Sequence, residues 1–314
     1  MARGPRRTIL AAVDIGSYSV HLLVGRVAGR RVETIHDESA YLGLGRTIDR
    51  DGRLGAARAD LAATIAAYKI AALSRDASAM TVVATDPFRR APDAAEAVVE
   101  IEAATGIRVT TIGHGEEAMI ALLGVTGGRP VVRTTVLVDV GGGSTEVLVA
   151  GPGGDSVAVG LPLGATRLTG VHVRHDPPAA TELDAIADAA ERAMRLAPDA
   201  HPAELVAVGG TARSLLRVGP PLPNRILTRQ RLRAAMRLIA SMPAASLAER
   251  YSIRPSRVGV LPAGAVILDT ALARYRLDRL RVAKGGLREG LILATAREGD
   301  AWRMRLPELA RGWS

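Results

Sequence analysis

Cysteine is absent from this 314-residue chain. That removes disulfides, zinc–thiolate centres, iron–sulfur clusters and thiol nucleophiles together, and is compatible with a reducing cytoplasm. Aromatic residues are scarce, at two Trp, five Tyr and one Phe, too few for a base-stacking platform along a nucleic-acid strand. Lysine is almost missing: only Lys69 and Lys284 are not arginine among the 41 Lys+Arg. No apolar run reaches the length of a membrane span. The longest near the N-terminus, Ile9–Val13, stops at Asp14 and is too short for a secretory core. A soluble, cytoplasmic protein is expected.

What is present is ordinary for a globular protein, with 48% hydrophobic and 23% charged residues. The length predicts about two domains, large enough to bury roughly three-quarters of the unfolded chain's surface without staples. The net charge of +9 points to a polyanionic partner, because arginine binds phosphate through a bidentate fork. Charge alone does not separate a phosphate substrate from nucleic acid. No nucleic-acid motif is recognisable, so sequence-specific binding is not expected.

Strand-like and helix-like segments alternate from end to end, which predicts α/β layers. Thr8–Asp14, Val20–Val27 and Arg31–Ser39 read as three strands, and Thr135–Asp139, Thr145–Ala150 and Ser156–Gly160 as three more. Thr126-Gly127-Gly128-Arg129-Pro130 interrupts the pattern with turn chemistry. The expected domains are therefore residues 1–127 and 128–292, with a C-terminal helix over 293–314 returning to the first.

An internal echo carries the most information. Asp14-Ile15-Gly16-Ser17-Tyr18-Ser19 and Asp139-Val140-Gly141-Gly142-Gly143-Ser144-Thr145 stand 125 residues apart, each an Asp ending a buried strand before a small-residue turn with hydroxyls. The recurrence predicts a duplicated domain. A strand follows each turn where a dinucleotide-binding motif requires a helix. No glycine loop ends in Gly-Lys-Ser/Thr, so a P-loop is absent.

Such turns let backbone N–H groups approach a phosphate without side-chain obstruction. Ser17, Ser19, Ser144 and Thr145 add hydroxyls, while Asp14 and Asp139 make sense beside phosphate only with a cation or water between. A third phosphate or sugar site is expected where Gly209-Gly210-Thr211 opens a helix. Glu116 and Glu117 open another helix, as partners of its dipole or as a base aligning water on phosphorus. Arg89 could hold the non-bridging oxygens.

Taken with Leu161-Pro162-Leu163-Gly164-Ala165 and Gly285-Gly286-Leu287-Arg288-Glu289-Gly290, these segments cover nearly the whole chain in order. Together they resemble the exopolyphosphatase/guanosine pentaphosphate phosphohydrolase family in its short, two-domain form. The resemblance implies two ribonuclease-H-like domains of the actin/Hsp70/sugar-kinase superfold around a central cleft. It also implies Mg²⁺- or Mn²⁺-dependent removal of the terminal phosphate from polyphosphate, or of the 5′-phosphate from pppGpp. Carried over residue by residue, Glu117 matches the base, and Arg89 the arginine of the family motif. Asp139 and Glu146 match metal- or water-orienting carboxylates, and Asp14 is expected to join them as a metal ligand. Ser144 and Gly142–Gly143 match the phosphate cradle, and Gly16, Ser17, Tyr18, Ser19, Gly141, Thr145, Gly209, Gly210 and Thr211 of the small-residue turns are expected to bind phosphate with them.

The chain departs from the family pattern at several points. Tyr18 replaces the usual Asn, Tyr41 an Arg, Gly113-His114 a Ser-Gly pair, and Gly259 and Lys284 two aspartates. His21, His36, His172, His175 and His201 show no metal spacing and are expected at the surface or in turns; His114 adjoins the base. Two functions remain open from sequence: a phosphoanhydride hydrolase, or a non-catalytic sensor binding polyphosphate, pppGpp or ppGpp. A kinase-like member of the superfold is a third. A homodimer is compatible with all of them, and no membrane partner is expected.

Overall fold

A computed structural model of the protein describes residues 8–313. The chain divides into two compact units, one formed by residues up to Pro130 together with the stretch from Gly285 on, the other by Val131–Lys284. The return to the first unit thus begins at Gly285, not at 293. The reason is a helix, Leu287–Glu298, which packs against His114–Thr126 of the first unit.

The first unit is built on a five-stranded mixed sheet of β1 (Ile9–Ile15), β2 (Val20–Ala28), β3 (Arg31–Ala40), β4 (Met80–Ala84) and β5 (Val109–Thr111). Its spatial order is β3-β2-β1-β4-β5, with β1 antiparallel to β2 and parallel to β4. Both faces of β1 are covered, which is why its sequence is a continuous apolar run where one-sided burial would alternate. Ala11, Val13 and Ile15 pack with Leu61, Ile65, Tyr68 and Ile101. Leu10 and Ala12 pack with Ile120, Leu123, Leu291 and Ile292. Asp14 shares the parity of Leu10 and Ala12, so it belongs to the second face.

The second unit repeats this wiring in β6 (Thr135–Val140), β7 (Thr145–Ala150), β8 (Ser156–Leu161), β9 (Glu204–Val208), β10 (Ile226–Thr228) and β11 (Arg279–Val282). The order is β10-β11-β9-β6-β7-β8. Without the antiparallel edge strand β10, it is the order of the first sheet, with the same sense of pairing at each step. Among the described residues no helix is long and apolar enough to cross a membrane.

The Gly-Gly-Leu-Arg-Glu-Gly stretch has a structural explanation for each polar member. Glu289 accepts from the Gly286 N–H at 2.9 Å and caps its own helix. Arg288, buried, donates to the Leu22 carbonyl at 3.1 Å and to Asp37 at 2.6 Å. Gly286 and Gly290 lie where the helix meets Gly124 of His114–Thr126, backbone against backbone.

Candidate active site

In the first unit the turn after β1 is closed by the Gly16 N–H donating to the Ser19 carbonyl at 3.1 Å. It is buttressed from the segment after β3: the Gly43 N–H donates to the Tyr18 carbonyl at 3.1 Å and the Gly45 N–H to that of Ser17 at 2.7 Å. A Cβ at Gly45 would press on Ser17 Cβ at 2.9 Å, so glycine is needed there for close approach. The Ser17 hydroxyl donates to Asp86. Its proton is therefore directed away from any anion, and what Ser17 can offer a phosphate is its backbone. Ser19, also buried, has its Oγ 2.6 Å from His21 Nε2, and His21 Nδ1 is 2.6 Å from Ser39 Oγ. His21 is thus a half-buried strand residue with both ring nitrogens engaged, contrary to the expected surface or turn position.

The two aromatic departures from the family pattern are one feature. The rings of Tyr18 and Tyr41 meet edge to face at 5.5 Å and 68°, a favourable quadrupole arrangement. Arg46 lies 5.9 Å from the Tyr18 ring centroid.

The helix His114–Thr126 separates the roles of its two glutamates. Glu116 accepts from the Gly113 N–H at 2.8 Å and pairs with Arg303 at 2.6 Å, which makes it the cap. Burial would raise its carboxyl, but Arg303 and the Gly113 N–H hold it below the ordinary value. Glu117 is buried and pairs with Arg89 Nη1 at 2.8 Å. The same Nη1 donates to the Ile112 carbonyl at 2.9 Å, which fixes the guanidinium on the segment leading into the helix. Arg89 is expected at phosphate oxygens; here it holds Glu117. Burial, then the Arg89 charge, lowers the His114 pKa.

In the second unit the Gly141 N–H closes the matching turn on the Ser144 carbonyl at 3.0 Å. The Leu-Pro-Leu-Gly-Ala stretch supports it: the N–H groups of Ala165 and Arg167 donate to the carbonyls of Gly141 and Gly142 at 2.9 and 3.0 Å. Gly164 lies against Gly142 and Gly143 so closely that a side chain there would collide with them. The Thr145 hydroxyl donates to the Leu163 carbonyl and braces the same contact, so it is not turned to a phosphate. Asp139 and Glu146 are directly paired across β6 and β7. Like charges directly opposite one another in a ladder are unfavourable. Ser144 donates to Glu146 at 2.8 Å. Desolvation pushes the Asp139 carboxyl up to about 6, against the pull of Arg213.

Gly209 has φ +87°, a left-handed conformation that favours glycine, and a Cβ there would stand 2.8 Å from Asp139 Oδ1. Thr211 is buried against Gly264, where it serves the packing of the helix Leu261–Arg274. The guanidinium of Arg257 covers Gly210, so that a side chain at 210 would collide with it. Asp86, Arg213 and Arg257 are polar residues that sequence reasoning did not single out, and His21 is one it read only as a surface or turn residue. For Asp86 and Arg257 no sequence signal exists, since each reaches the turn from a distant segment. His21 had one, its spacing of two from Ser19 on a strand.

A family model described as the Ppx/GppA phosphatase family matches residues 23–298. Exopolyphosphatase 1 of Mycobacterium tuberculosis (strain ATCC 25618 / H37Rv) is 28% identical over 299 residues, spanning 90% of this chain and 87% of that protein. Exopolyphosphatase 1 of Mycobacterium leprae (strain TN) is 28% identical over 304 residues, spanning 90% and 88%. Among solved structures, the Aquifex aeolicus member of the Ppx/GppA family superposes with a TM-score of 0.78 at 25% identity, covering 93% of this chain and 99% of that one. The two α/β units share the actin-like fold of these neighbours.

Proposed function

The chain belongs to the Ppx/GppA phosphatase family, and from that membership we propose that it removes the terminal phosphate of inorganic polyphosphate, releasing orthophosphate. It is a hydrolase of phosphoric anhydrides. The observation that carries the reading is the buried Glu117, held by Arg89. A protein that only bound a polyanion would gain nothing from a buried carboxylate at its site, whereas hydrolysis requires a base. The Tyr18–Tyr41 pair supports pppGpp as a second substrate, because aromatic surfaces stack on a nucleobase.

In this mechanism a water attacks the terminal phosphorus and Glu117 takes its proton. The bond from phosphorus to the bridging oxygen breaks, and the electron pair stays on the shortened chain. Charge gathers on the equatorial oxygens of the transferring group, where turn N–H groups stabilise it. Arg89 keeps the Glu117 carboxylate aimed during this step. The oxygen donors fit a hard divalent cation: Asp139 and Glu146, opposed in their ladder, are the residues of the second unit that would hold Mg²⁺ or Mn²⁺, and Asp14 ends the corresponding strand of the first unit. When bound, the cation would neutralise phosphate charge and polarise the anhydride.

The test compares orthophosphate release from long-chain polyphosphate, pppGpp and ATP, each with Mg²⁺. Polyphosphate is expected to be the best substrate, with activity lost in chelator and restored by Mg²⁺ or Mn²⁺. Full activity in excess EDTA would remove the metal from the mechanism, and ATP as the best substrate would remove the proposed specificity.

A further inference from the structure

The two turns carry the same hydrogen bond with opposite chemistry at its far end. Ser144 bonds the side chain two residues on, Glu146, and Ser19 bonds the side chain two residues on, His21. In the ladders, Glu146 is the partner of Asp139 and His21 the partner of Asp14, so the positions correspond. A carboxylate can only accept, which commits the Ser144 proton to Glu146 and leaves lone pairs to the turn. An imidazole can accept or donate. Ser39, paired with His21 across β2 and β3, stands at its other nitrogen.

We propose that His21 is a positioning residue which, in its Nε2–H form, donates to Ser19 and so turns the Ser19 hydroxyl proton toward a bound phosphate. A neutral imidazole holds one N–H, and the chain Ser39–His21–Ser19 has two self-consistent directions. In one, Ser19 donates to Nε2 and Nδ1–H donates to Ser39; a phosphate then meets serine lone pairs and is repelled. In the other, Ser39 donates to Nδ1 and Nε2–H donates to Ser19, whose own O–H is released to the anion. Phosphate selects the second. Ser17 cannot substitute, because its proton is given to Asp86. The inference rests on the first turn being a phosphate site, and it assigns the specificity of that turn for an anion to the residue at 21.

A double-mutant cycle tests it on the full chain with polyphosphate and Mg²⁺. Ser19→Ala and His21→Ala are each expected to lower kcat/KM about tenfold, mainly through KM, as for loss of one hydrogen bond to a charged group. The double variant should lose no more than either single one, because both remove the same interaction. His21→Gln, whose amide can donate to Ser19, should recover activity to within about threefold of wild type. Fully additive losses, about a hundredfold in the double variant, would overturn the proposal and leave His21 a packing residue. A silent Ser19→Ala would instead overturn the phosphate-turn reading beneath it. Should His21→Ala fail to fold, ¹⁵N spectra of the wild-type imidazole decide the matter. Saturation with inorganic phosphate is expected to populate the Nε2–H tautomer, and a persistent Nδ1–H tautomer overturns the proposal.

Discussion

Glu117→Gln is expected to lower turnover on polyphosphate at least about a hundredfold, within the range of general-base contributions, while substrate affinity stays within about threefold. Glutamine preserves the shape of the side chain and an oxygen that can accept from Arg89 Nη1, now 2.8 Å from Glu117. What it removes is the capacity to take a proton from water. Some stability should also be lost, because the amide no longer neutralises the Arg89 charge at this buried site. The neighbouring Glu116→Gln is the informative control. Glu116 caps the helix at Gly113 and pairs with Arg303, so its loss should cost some stability and leave turnover within about twofold. The experiment is steady-state phosphate release beside a direct binding measurement with each variant. Unchanged turnover in Glu117→Gln would take the residue out of the mechanism.

Gly290→Ala is expected to destabilise the first unit by about 3 kcal/mol, the upper end of ordinary overpacking costs. A Cβ there would strike the carbonyl of Ile120, and the same crossing brings Gly124 against the backbone at Gly286. Backbone does not yield as a flexible side chain does, so the helices His114–Thr126 and Leu287–Glu298 must separate. The first of these carries Glu117, so activity should fall along with stability. Gly170→Ala, in the helix Ala165–His172 with open space around its Cα, is the matched control. It should be neutral or slightly stabilising, as alanine is a better helix former. Calorimetry should show a fall of roughly 5 to 10 °C for Gly290→Ala. An unchanged transition would mean that this crossing does not set the stability of the unit.

The parts of this architecture legible in the sequence are those written locally. The apolar run of β1 ends in Asp14, that of β6 ends near Asp139, and the turn after each is small and polar; spacing alone exposes the duplication. Longer helices are legible to within a few residues: the sequence pattern predicts helices over Arg58–Leu73 and Gly264–Tyr275, and the structure has Ala57–Leu73 and Leu261–Arg274. Short pieces were not legible. Leu44–Asp51, Ala165–His172 and Pro255–Val258 are too brief for a periodic pattern, and tertiary contacts hold them. Nor does any local signal tell that the Gly-Gly-Leu-Arg-Glu-Gly helix belongs wholly to the first unit. That follows from Gly290 meeting Ile120 and from Arg288 reaching Asp37.

At the site, a motif names the residues but not the direction of their hydrogens. Ser17 and Thr145 read as phosphate donors, yet one hydroxyl serves Asp86 and the other the Leu163 carbonyl. Arg89 reads as a phosphate ligand, and its pairing with Glu117 is not legible in the sequence. These are long-range pairings, and residue type cannot announce them. The Asp139–Glu146 pairing was within reach, since a tight turn between two strands fixes the register of the residues flanking it.

The most direct test of a Glu117-directed attack of water on the terminal phosphorus is hydrolysis of polyphosphate in ¹⁸O-labelled water. Each turnover is expected to place one ¹⁸O in the released orthophosphate and none in the shortened chain, read by mass spectrometry of both products. Label found in the chain end would mean attack at the penultimate phosphorus. That result would contradict the proposed attack of water on the terminal phosphorus.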